Sequence, residues 1–181
     1  MANSGERGKS KTVPKSFRID ESALKAVQTE AISLNVSPNT LVNQILKQYA
    51  EFDRFARKIH TVKISSAPFR GILSAADVNQ LIEVAKTAGS SIPQAFATAK
   101  SGKVDLESFI AHIRLLATYA QLFEFSETID THSRVVTLIH DFGLNWSIFL
   151  VHYVTEMFTQ IGFSPKIEMS DKTVVLTLPG A

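Results

Sequence analysis

Residues 15–20, Lys15-Ser16-Phe17-Arg18-Ile19-Asp20, alternate polar and apolar side chains and lead straight into two helix-forming stretches, with no second strand nearby to pair with. In an extended run Phe17 and Ile19 share one face while Ser16 and Arg18 share the other. A lone strand leaves both edges unpaired and cannot cover its apolar face. A second copy of the chain meets both needs at once. Two strands pairing antiparallel turn Phe17 and Ile19 toward the helices and Ser16 and Arg18 outward.

The helices carry their own punctuation. Asp20 is a good N-cap with Glu21 in the favourable first turn, and Leu24, Val27, Ala31 and Leu34 recur at helical spacing. Asn35 then stands where a residue tolerant of the left-handed conformation ends a helix. Ser37-Pro38 opens the second helix with a capping hydroxyl and a proline at its favoured position, and the stripe from Leu41 through Val42, Ile45, Leu46, Tyr49 and Phe52 to Phe55 carries it to about Ile59.

A two-stranded ribbon of this kind fits the major groove of DNA. Arg18 suits bidentate contact with guanine, and Ser16 can donate or accept at several base edges. The start of the second helix adds a phosphate site at Ser37, Asn39 and Thr40, where free backbone N–H groups and the positive dipole end coincide. Residues 1–12, with Lys9 and Lys11, read as a flexible basic arm that, with Lys15, meets phosphates. Charge supports this division: residues 1–63 hold eleven Lys and Arg against six Asp and Glu, a net of +5, whereas residues 64–181 sum to −3.

Ser16-Phe17-Arg18-Ile19-Asp20-Glu21, the helix end Leu34-Asn35-Val36-Ser37 and the Leu41-to-Tyr49 stripe together resemble the MetJ/Arc-type ribbon-helix-helix family over about residues 14–52. The resemblance implies an intertwined homodimer, base reading by outward strand residues and a phosphate held at the start of the second helix. Pro14 occupies the first outward strand position, where it removes an N–H and offers no polar group, so each chain contributes two readers.

The domain plan is an arm at 1–12, a ribbon-helix-helix domain at 13–60, a linker at 61–73 and an α+β domain for oligomerisation or sensing at 74–181. The linker assignment rests on Pro68, Gly71 and a broken helical period. Beyond it, Ser74 is expected to cap a helix that stops near Gly89, another to open at Ile92-Pro93 and end at Gly102, and a third to run from Val104 to about Leu122. Strands are expected next at 124–130 and 134–141, then a helix from Asn145, as cap, to Phe163, then strands at 166–169 and 173–178. The order is helices and then β-β-α-β-β.

His140-Asp141 and His152 invite a metal or catalytic reading. Adjacent strand residues point to opposite faces, so His140 and Asp141 do not converge on one ion, and a structural histidine is the better assignment. His112 and His132 are expected at the surface, and Trp146, Phe149, Tyr153 and Phe158 in the core. With no cysteine, no phosphate loop, no nucleophile elbow and no carboxylate pair, the chain reads as neither an enzyme nor a cofactor protein. No apolar run is long enough to span a bilayer, so no membrane partner is expected and the address is cytoplasmic, at the nucleoid. The functional expectation is a homodimeric or higher-order regulator bound to double-stranded DNA, with a small-molecule or protein effector at the C-terminal domain. The alternative is an antitoxin-type repressor whose C-terminal domain binds a partner protein.

Overall fold

The computed structural model describes residues 12–179 and divides the chain into two compact units, Met1–Leu46 and Lys47–Ala181. In the first unit residues 12–20 belong to neither helix nor strand. Helix α1 spans Glu21–Ser33, and the Asp20 carboxylate caps it by accepting the N–H groups of Ser22 and Ala23 at 2.9 and 3.1 Å. Asn35 takes the left-handed conformation, φ 54°, and Val36 N–H returns to the Ala31 carbonyl. Helix α2, Pro38–Gln48, starts at Ser37, whose Oγ accepts the Thr40 N–H at 3.0 Å. Among the described residues of the unit, Ala31 and Leu41 are the buried apolar ones.

The second unit begins in the last two residues of α2 and continues through a π-helical turn at Tyr49–Asp53, a short α3 at Arg54–Ala56 and a 3-10 turn at Arg57–Ile59 that His60 closes in the left-handed conformation. The division therefore falls near residue 46, ahead of the stretch 61–73 expected as a linker. The cause is packing: Phe52, Phe55 and Ala56 form a buried cluster with Phe96 and Leu115. Much of that expected linker is helix α4, Ser66–Ala75, in which Ser74 Oγ bonds the Arg70 carbonyl instead of capping a new helix.

One continuous helix, α5 at Val78–Ser101, replaces the two expected around Gly89 and Pro93, with Asp77 as its cap and Gly102, φ 69°, at its end. Pro93 lacks the N–H that the Gly89 carbonyl would otherwise accept, which ordinarily breaks a helix. Tertiary contact overrides that here. A Cβ on Gly89 would lie 2.3 Å from the Tyr153 carbonyl oxygen of α7, Leu144–Thr159, so the absent side chain is what lets the two backbones meet.

Helix α6, Leu106–Leu115, opens with a capping box in which Asp105 accepts the Ser108 N–H and Ser108 Oγ accepts the Asp105 N–H. It runs into a second π-helical turn, Leu116–Ala120. Strands β1 (Glu124–Ile129), β2 (Ser133–Ile139), β3 (Lys166–Met169) and β4 (Thr173–Pro179) form one antiparallel sheet in the order β1-β2-β4-β3. Val136 pairs with Leu176 and Leu138 with Val174, so a single face of the central strands is buried with Phe109, Ile113, Val154 and Phe158. The architecture of the described residues is α+β, with the β-β-α-β-β order expected.

Within that core Arg134 is 5% exposed and pairs with Glu107 at 2.7 Å and Glu127 at 3.3 Å, while Arg114 also reaches Glu127. This network ties α6 to the first hairpin. Asn145 does not cap α7; Gly143, φ 84°, occupies that place, and the Asn145 amide donates to the Leu73 carbonyl at 2.7 Å.

Candidate functional site

Lys15, Ser16 and Arg18 are exposed on the segment that precedes α1, and so are Phe17 and Ile19 between them. No ladder among the described residues fixes this segment. Lys9 and Lys11 lie outside the described residues. At the start of α2, Ser37, Asn39 and Thr40 are all exposed. The Thr40 N–H, expected free for a phosphate, is already donated to Ser37 Oγ, and the two hydroxyls meet at 2.8 Å. Capping and anion binding compete for the same donor there, which leaves Asn39 as the expected phosphate contact with an uncommitted N–H at a position too early for an intrahelical bond.

Around these polar groups the first unit is apolar and open. Phe17 is 66% exposed and Ile32 81%, and Ile19, Leu24, Leu34, Ile45 and Leu46 are exposed as well. They lie on the segment that precedes α1 and on both helices of the unit or at their ends. Isolated exposed leucines need no explanation, but this many in a short segment form an apolar surface of the kind that serves interaction.

The histidines separate into two kinds. His140 ends β2 and is buried; its Nε2 lies 2.9 Å from Ser147 Oγ and its Nδ1 accepts the Phe142 N–H at 3.3 Å, so both ring nitrogens are committed to the strand-to-helix junction. Burial holds its pKa below the ordinary histidine value against the opposing pull of Asp141 and Asp171. The structural assignment of His140 agrees with this geometry. Among the described residues no cluster of three or more His, Asp or Glu is placed to hold a metal ion.

His112 is the opposite of its expectation. It is 1% exposed, with Nε2 2.8 Å from the Tyr153 hydroxyl and Nδ1 buried without a hydrogen-bond partner. Burial, aided by Lys100, lowers its pKa to about 4, so the ring is neutral at pH 7. The sequence carried a sign of this. His112 is three residues from Phe109 and four from Leu116, squarely on the apolar stripe of α6. His132 is exposed as expected. Trp146, Tyr153 and Phe158 are buried, and Phe149 is partly so, stacked 4.8 Å from Trp146.

No helix among the described residues is long and apolar enough to cross a membrane. Comparison with protein-family models, with curated proteins and with solved structures finds no match to this chain.

Proposed function

We propose that the chain is a sequence-specific, homodimeric DNA-binding transcriptional regulator of ribbon-helix-helix type, whose first unit completes its fold by pairing residues 15–20 with those of a second copy. The observation that carries this reading is the apolar surface of the first unit. Phe17 and Ile19 are exposed beside exposed apolar positions on α1 and α2, and the alternate side chains, Ser16 and Arg18, are those suited to base edges. Pairing would bury Phe17 and Ile19 against the helices and present Ser16 and Arg18 from both chains on one ribbon. Lys15 and the start of α2, through Asn39, take phosphates and set register. The second unit, with its own core, serves assembly or sensing.

The test is a gel-shift titration on random-sequence duplex DNA, with selection and sequencing of the bound fraction. Wild type is expected to bind with a strong salt dependence and to enrich a site. Arg18→Ala is expected to keep salt-dependent binding and lose enrichment. Absence of any salt-dependent binding by the wild type defeats the proposal, and unchanged enrichment by Arg18→Ala removes Arg18 from the reading role.

A further inference from the structure

A cavity of about 640 Å³ opens within the second unit, walled by Phe52, Phe96, His112 and Tyr119. Its volume is that of a small-molecule site, as is its lining of aromatic groups with a few polar ones.

Two features distinguish it from incidental space. Both π-helical turns of the unit border it, Tyr49–Asp53 through Phe52 and Leu116–Ala120 through Tyr119. Such turns are rare and concentrate where helices serve function. The Tyr119 hydroxyl joins them by donating to Glu51 at 2.7 Å, and burial together with that carboxylate pushes the phenol up to about 12, so it remains a donor. The second feature is the charge of its lining, where Arg57 and Lys63 stand exposed.

Charge narrows the occupant. Arg57 and Lys63 line the cavity and are exposed, and neither makes an ion pair among the described residues; Asp53 is the one carboxylate of the lining. The balance is cationic beside an aromatic wall. We infer that the cavity binds a small aromatic carboxylate, its ring against Phe96 and Tyr119 and its carboxylate at Arg57 and Lys63. This site needs only the second unit and stands or falls independently of DNA binding.

Calorimetric titration of the full chain with 2-naphthoate, and with uncharged 2-naphthamide for comparison, tests it. The expected result is one saturable site per chain that favours 2-naphthoate at least tenfold. Arg57→Gln combined with Lys63→Gln, both at exposed positions outside the core, is expected to erase that preference while sparing 2-naphthamide. Ala120→Trp, which fills the cavity from its wall, is expected to abolish binding of both compounds while the thermal midpoint stays at the wild-type value. Absence of saturable binding overturns the proposal, as does a 2-naphthoate affinity that the Arg57 and Lys63 substitutions leave unchanged. Adhesion to the apolar surface of the first unit would be non-saturating and indifferent to both changes, and it counts against the site.

Discussion

In the second unit Phe109, Met157 and Phe158 are fully buried, and a helix as interrupted in sequence as α5 is held continuous by what packs on it. In the first unit Ala31 and Leu41 are buried, while Phe17 is 66% and Ile32 81% exposed. Both stretches carry regular helical patterning, so local propensity does not distinguish them. Size and closure do. A segment of this length has too little volume to enclose a core, and residues 12–20 pair with no strand among the described residues. The contrast teaches that amphipathic spacing announces a buried face without saying whose surface buries it.

That contrast breaks first under loss of core volume. Phe109→Ala should cost roughly 3–5 kcal/mol of the second unit's stability, read as denaturant unfolding through Trp146 fluorescence, because the side chain is wholly enclosed. The loss should be independent of protein concentration; a concentration-dependent midpoint would mean that this core, too, is completed by a partner.

Acid gives the next largest effect. The folded-state pKa of His112 lies at about 4 and the unfolded value near 6.5, so the unfolded chain binds the proton first as pH falls. Stability should therefore be at its full value above about pH 6.5, decline through the window down to about pH 4 and then level, a loss of about 3 kcal/mol from this group. His140, shifted the same way by burial, adds to that slope. His112→Gln should flatten most of the dependence, and an unchanged slope would place the titration elsewhere.

Gly89→Ala should cost about 1–3 kcal/mol, since its Cβ would meet the Tyr153 carbonyl oxygen at 2.3 Å and α5 must move off α7. Alanine ordinarily stabilises a helix over glycine. A gain in the thermal midpoint would show that the two helices part without penalty.

The smallest effect on the second unit sharpens the comparison most. Phe17→Asp should leave its unfolding unchanged, yet it should convert the proposed dimer into monomer by sedimentation equilibrium. A Phe17→Asp protein that still sediments as a dimer would locate the interface outside residues 15–20.

Legibility in the sequence divides along the same line. The caps Asp20, Ser37 and Gly102, the turn at Asn35 and all four strands of the sheet are readable because each depends on residues close in the chain. Gly89 and Pro93 mislead, because their helix survives through a contact with Tyr153 more than sixty residues away. The unit boundary near residue 46 is likewise hidden, since Phe52 and Phe55 continue the stripe of α2 while packing against Phe96. Of the proposed DNA contacts, the exposure of Ser16 and Arg18 does not follow from alternation, since Phe17 and Ile19 between them are exposed as well. The cavity is not readable, because its walls come from segments far apart and both of its π-helical turns look like uninterrupted helix in one dimension.

Those turns have a consequence for how the chain tolerates insertions and deletions. A π-helical turn is a helix that has accommodated one extra residue, and removing a residue at 3.6 per turn rotates everything beyond it by about 100°. Helices usually resist single-residue deletions because the whole downstream face is misaligned. At Leu116–Ala120 the deletion would instead relax the segment to ordinary α-helix, sparing the backbone ladder while swinging Tyr119 out of reach of Glu51. In a library of single-residue deletions, this stretch is where variants should stay folded and lose the cavity, giving a genetic separation of scaffold from site.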